Sequence, residues 1–151
     1  MKRQCRCSTR QIESYRQRIS GPLLDRIDLH VEVPLVDFKE PTTTTTTGEP
    51  SSVIRERVRG ARETQTKRFR RNGRTNSAMS ARQVRDHCQL DAEGTGYLEH
   101  AMEQLNFSAR AHDRILKVAR TLADLSGSER IRGQDILEAI QYRSLDRNLF
   151  A

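Results

Sequence analysis

The apolar positions change period along the chain, and those changes divide it. Ser8 followed by Gln11 fits a capping box, and Ile12, Tyr15 and Ile19 recur at helical spacing, so a helix is predicted over about 9–19, ending before Gly21-Pro22. A short helical turn follows at 22–26. The period then becomes two: Ile27, Leu29, Val31 and Val33 alternate with Asp28, His30 and Glu32 up to Pro34, which predicts a strand. A single strand cannot bury itself, so its sheet partners are expected elsewhere in a longer polypeptide or in another chain. Residues 37–50, with Thr42 to Thr47 as an unbroken threonine run and Pro41 and Pro50 near its ends, read as a mobile linker.

Beyond residue 50 the pattern is helical throughout. Ser51 or Ser52 can cap a helix with Ile54, Val58, Ala61 and Phe69 on one side, running to Gly73, although Gln65 interrupts its apolar face. Ser80 and Gln83 form a second capping box, with Met79 placed to staple onto Val84. A helix from Asp91 or Thr95 to Leu105 would bury Leu98, Ala101, Met102 and Leu105. The most regular segment starts after Ser108 and carries Ile115, Leu116, Val118, Ala119, Leu122 and Ala123 before Gly127. A last helix is predicted over Gly133 to Tyr142. The expected fold is mainly α: a helical bundle at 51–147, preceded at 1–36 by a helix and strand that look like the end of an α/β core.

Charge sharpens this picture. The 151 residues carry 27 Lys and Arg against 20 Asp and Glu, a formal net charge of +7. Between Arg55 and Arg74 there are nine basic residues and two acidic ones, so that stretch alone accounts for the whole excess. So many arginines can neutralise phosphates and release their counterions, which makes Arg68, Arg70, Arg71 and Arg74 candidate nucleic-acid contacts. A solvated helix face explains the same charges. No apolar run approaches the length of a membrane span, and MKRQCRCSTR lacks the apolar middle of a signal peptide, so a cytoplasmic protein without membrane contact is expected. Three cysteines, Cys5, Cys7 and Cys88, make a disulfide framework improbable. No G-x-x-x-x-G-K-[ST], G-x-S-x-G or H-E-x-x-H occurs, and an enzyme complete within these residues is not expected.

Gly21-Pro22-Leu23-Leu24-Asp25-Arg26-Ile27-Asp28-Leu29 resembles the arginine-finger segment of AAA+ ATPases of the magnesium-chelatase and minichromosome-maintenance helicase branch. Ser108-Ala109-Arg110, the run from Arg114 to Leu125, and Glu138-Ala139-Ile140-Gln141-Tyr142-Arg143 resemble the C-terminal domain of magnesium-chelatase-like proteins of the ComM competence type. The resemblance covers residues 1–36 and about 51–147. It implies a ring-forming ATPase, hexameric in expectation, that uses ATP and Mg2+ and acts on DNA. The phosphate loop and most of the core would lie upstream of Met1, so the fragment would be inactive alone.

On that resemblance Arg26 is the arginine finger, acting on a neighbouring subunit's nucleotide, and residues 51–147 are the lid. A planar, permanently charged guanidinium suits that task because it offsets charge developing on the transferred phosphoryl group. A salt bridge to Asp25 or Asp28 is the bland reading of the same residue. Arg110 matches the lid's sensor arginine, with Arg114 one turn later as a substitute; both would touch the ATP phosphates. Cys5 and Cys7 could supply half of a zinc site completed by an upstream cysteine pair, or be free thiols. Two alternatives remain: a helical module that binds nucleic acid through residues 55–74, and a magnesium chelatase subunit.

Overall fold

The structure is a computed structural model that describes residues 6–16, 18, 23, 26–31, 33, 48–71, 73–105 and 107–143. Six α-helices lie among them: α1 (Thr9–Arg16), α2 (Ser51–Phe69), α3 (Ala81–His87), α4 (Ala92–Leu105), α5 (Ala109–Leu125) and α6 (Gly133–Gln141), with a 3₁₀ turn at Asn76–Ala78. The mainly α fold expected from the pattern is what forms. Cys5, the linker's Thr42 to Thr47 and residues 144–147 lie outside the described residues.

Helix α5 is the centre. Its stripe of Ala111, Ile115, Leu116, Ala119 and Ala123 is buried, and α6, α4, α2, α3 and the 3₁₀ turn all pack on it or on one another around it. Ile136 and Ala139 of α6, Leu98 of α4, Val84 of α3, and Met79, Cys88 and Ile131 from the connections fill the remaining core. Both ends of α5 are fixed chemically. Ser108 is the N-cap, its Oγ accepting from the Ala111 N–H at 3.2 Å. At the other end Gly127 takes φ 71°, and two bonds close a Schellman motif: Ser128 N–H to Ala123 O at 2.8 Å and Gly127 N–H to Asp124 O at 3.2 Å.

The capping boxes at Ser8/Gln11 and Ser80/Gln83 both form. Asp91 initiates α4 by accepting from the Gly94 N–H at 2.7 Å. At the start of α6 the Arg132 N–H donates to the carboxylate of Asp135 at 2.9 Å.

Three expectations are corrected. Helix α2 has Pro50 as its N-cap residue and no side-chain cap, so Ser51 and Ser52 are its first two residues; it ends at Phe69, and Arg70 caps it in the left-handed region at φ 49°. Its buried residues are Ala61 and Gln65, while Ile54 and Val58 are exposed, because the C-terminal part of the helix is what meets the bundle. Gln65 is buried with a partner: its Oε1 accepts from the Asn76 N–H at 3.3 Å.

The second correction concerns the alternating segment. Residues 27–31 and 33 form no strand, since no ladder partner is present among the described residues, and Ile27, Leu29, Val31 and Val33 are exposed. The segment is instead held to the bundle by single bonds: the His30 N–H donates to Tyr142 O at 2.7 Å, and Arg143 donates to Ile27 O at 2.9 Å. The third is a matter of ends: α1 is Thr9–Arg16 with Arg18 in a turn, and α6 ends at Gln141, while Ile19 lies outside the described residues. On α1, Ile12 and Tyr15 are exposed.

Candidate functional site

The sequence nominated a row of arginines, and the structure gives them different surroundings. Arg110 is the second residue of α5, exposed, directly after the Ser108 cap. The first-turn N–H groups of a helix and its dipole make that end attractive to an anion, and the Arg110 side chain adds a full positive charge there.

Arg114, one turn further on, is engaged differently. Its Nη1 donates to Asp28 Oδ1, an ion pair joining α5 to the segment that follows Arg26. Arg26 itself is exposed, in a turn whose backbone N–H donates to Leu23 O at 3.0 Å. The carboxylate of Asp28, which the local reading offered as a partner for Arg26, is held by Arg114. Arg114 is thereby joined to the stretch two residues past Arg26, and Arg110 lies on the same helix as Arg114.

The four arginines nominated for nucleic acid separate into two pairs. Arg68 points inward. Its guanidinium makes a bidentate contact with Asp124, at 2.8 and 2.5 Å, and bonds Asn76 Oδ1 at 2.8 Å; its side chain is 13% exposed and that of Asp124 is fully buried. Arg74 bonds Gln83 Oε1 at 2.9 Å and lies 5.7 Å from the centre of the Phe69 ring. These two hold the α2–α3 connection together. Arg70 and Arg71 are exposed, as are Lys67, Arg62 and Arg55 on α2. Arg57 pairs with Glu49, and Arg59 with Glu63 at 3.4 Å.

Reasoning from sequence missed the polar centre of the molecule. Asp124 is shared by Arg68, Arg120 and Asn76, with Asn76 Nδ2 donating to Asp124 Oδ2 at 2.8 Å and to Thr121 Oγ1 at 3.1 Å. Arg120 is itself buried and donates to the backbone oxygens of Ser128 and Glu129 at 2.7 and 2.8 Å. Burial by itself would raise the Asp124 carboxyl, but hydrogen bonds from Arg68 and Asn76 and the charges of Arg68 and Arg120 outweigh it and hold it below the usual carboxylate range. One signal was available: Arg120 and Asp124 stand four apart on the same face as Ala119 and Ala123, and a charged pair inside an apolar stripe must be satisfied internally. Asn76 carried no such signal.

Of the cysteine pair, Cys7 is exposed and Cys5 is outside the described residues. Cys88 is buried among Val84, Leu98 and Leu116, and that burial pushes its thiol up to about 11. No three His, Cys, Asp or Glu side chains converge among the described residues. No helix among them is long and apolar enough to cross a membrane.

Comparison with known families gives two matches. Residues 48–143 match the family described as magnesium chelatase, subunit ChlI C-terminal, and residues 1–41 match magnesium chelatase, subunit ChlI. The chain is 40% identical over 144 residues to the competence protein ComM of Haemophilus influenzae and, over the same length, to the uncharacterized protein YifB of Escherichia coli. Each alignment covers 95% of this chain and 28% of the relative, so the chain spans little more than a quarter of those proteins. An uncharacterized Mycobacterium tuberculosis protein is 33% identical over 140 residues, which is 92% of this chain and 27% of that one. The central helix, the capped turn bearing Arg110 and the segment after Arg26 all fall within these matches, and the chain belongs to the magnesium chelatase ChlI C-terminal family, as a ComM-type, magnesium-chelatase-like protein.

Proposed function

We propose that this chain supplies the helical lid and two arginines to a AAA+ ATPase that works as a homo-oligomeric ring, hexameric in the simplest case, and remodels DNA. In this reading Arg26 is the finger that reaches the neighbour's terminal phosphate, and Arg110 is the sensor that contacts the ATP phosphates. The observation that supports it best is Arg110: a cation exposed on the first turn of a Ser108-capped helix, where the backbone already favours a phosphate. The residues present fit the phosphate end of ATP and nothing more of it. The phosphate cradle and the ligands for Mg2+ are assigned to polypeptide outside this chain, so the 151 residues alone should not hydrolyse ATP. A zinc role for Cys5 and Cys7 rests on further thiolates from the same source.

The test uses the full-length protein that carries this sequence. Arg26→Ala should lower ATP turnover by about 10³ to 10⁵ while nucleotide affinity is kept, because a finger acts on the transition state. Arg110→Ala should lower affinity as well as turnover, since a sensor touches the bound ground state. Undiminished turnover in Arg26→Ala removes the finger from the mechanism.

A second reading has its own support: Arg55, Arg62, Lys67, Arg70 and Arg71 are exposed along α2 and just past its end, a basic face that fits a phosphate backbone. Binding of duplex DNA by the isolated chain, weakening steeply with salt, would favour an independent nucleic-acid module. The third reading, a magnesium chelatase subunit in tetrapyrrole synthesis, has the family description in its favour, whereas the identity to a competence protein favours the DNA-remodelling role. Metal insertion into a porphyrin by the assembled protein would decide for it.

A further inference from the structure

The Asp28–Arg114 pair does more than fasten a loop. It joins the stretch that carries Arg26 to the helix that carries Arg110, and two further bonds lie beside it: Arg143 to Ile27 O at 2.9 Å and the His30 N–H to Tyr142 O at 2.7 Å. Arg143 and Tyr142 directly follow α6, which packs on α5. The three bonds therefore run from residues 27–30 to α5 and to the two residues that follow α6. A loop held only by its own turn would move independently of these helices; one held at Ile27, Asp28 and His30 has to follow them. Arg26 is adjacent to the first of these anchors.

We propose that Arg114 is a positioning residue: through Asp28 it couples the finger at Arg26 to the helix that bears the sensor Arg110. This inference rests on the ATPase reading above and assigns Arg114 a different task from the phosphate contact its sequence position suggested. Any displacement of α5 is thereby delivered to the stretch that carries the finger. The chemistry of the pair suits this. A guanidinium and a carboxylate form a directional contact, each side chain here is partly buried, and displacing the finger by as little as an ångström would spoil its alignment with the transferring phosphoryl group.

Two measurements test it. In the 151-residue chain, amide hydrogen exchange at His30 should speed up in Arg114→Ala and in Asp28→Asn while exchange within α5 is unchanged, and the double variant Asp28→Arg/Arg114→Asp should restore protection. In the full-length protein Arg114→Ala should lower turnover by about 10²-fold with KM for ATP little changed, and the same charge swap should recover most of it. Where Arg114→Ala fails to fold, the charge-swapped double variant and Arg114→Lys decide by the same readouts. A rise in KM with turnover kept makes Arg114 a nucleotide contact and overturns the proposal. So does unchanged His30 exchange, or full turnover in Arg114→Ala beside an inactive Arg26→Ala. Full activity in Arg26→Ala is a separate outcome, which removes the ATPase reading on which the coupling rests.

Discussion

Asp124 has no solvent contact through its side chain and is held by two guanidinium groups and an amide. Taking away such a carboxylate leaves Arg68 and the buried Arg120 uncompensated, so Asp124→Ala should lower unfolding free energy by about 3–5 kcal/mol, read as a shift in denaturation midpoint. The pH dependence follows from the direction of its shift. Because the folded-state carboxyl lies below its unfolded value of about 3.9, its stabilisation is complete above that pH and fades as pH falls through the folded value. Melts taken below about pH 4 should show that loss in the wild type and little of it in Asp124→Ala. Cys88 gives a second check at this scale. With its thiol pushed up to about 11, only about 10⁻³ of it is thiolate at pH 8, so alkylation followed by peptide mapping should modify exposed Cys7 and spare Cys88 until the protein unfolds. At this scale the sequence was least informative. Arg68, Arg70, Arg71 and Arg74 are alike as letters in a basic run, and they differ only because Asp124 and Gln83 lie opposite two of them in the fold.

Helices were far more legible than the partners of single side chains, because a cap or an apolar period is a local property. Ser80 with Gln83, Ser108, and Gly127 each mark an end that forms where the letters put it. Helix α2 departs from its pattern for the opposite reason. Ile54 and Val58 have the right spacing for a buried face, but tertiary placement decided that Ala61 and Gln65 would take it, and nothing in the periodicity encodes Asn76 as the partner of Gln65. The start of α6 offers a test of packing between elements. A Cβ on Gly133 would sit 2.9 Å from Cε2 of Tyr97 and 3.2 Å from Cδ of Glu93, so Gly133→Ala should force α4 and α6 apart or turn the Tyr97 ring, at a cost of about 1–3 kcal/mol in thermal melts. Losing the cap on α5 in Ser108→Ala should cost about 1 kcal/mol and loosen the turn that presents Arg110.

For the molecule as a whole, mainly α architecture could be read from the chain, whereas the segment at Ile27 to Val33 finds no ladder partner among the described residues. Alternation says which face a strand would bury, and only a neighbouring strand supplies the ladder; the apolar side chains of that segment are exposed here. The net charge was equally legible in amount and misleading in address. With Arg68 turned inward and Arg74 half-buried, the exposed cations of the 55–74 stretch lie on α2 and just past its end, so on the nucleic-acid reading a Lys67/Arg70/Arg71 triple-alanine variant should flatten the dependence of log affinity on log salt by about 2–3 units for duplex DNA. Arg68→Ala should instead unfold the protein more readily, which circular dichroism would separate from a binding defect.

Arg70 closes α2 in a backbone conformation that an L side chain adopts only at a penalty of about 1–2 kcal/mol, and among the described residues it is the one non-glycine that does so. Glycine would relieve the torsion there, although a more flexible denatured chain would take back part of the gain. An exposed arginine at such a corner makes durability and charge pull in opposite directions: Arg70→Gly should melt no earlier than the wild type and, on the nucleic-acid reading, bind duplex DNA less tightly. The corner is therefore a place where heat tolerance can be raised by substitution only by blunting whatever that cation touches.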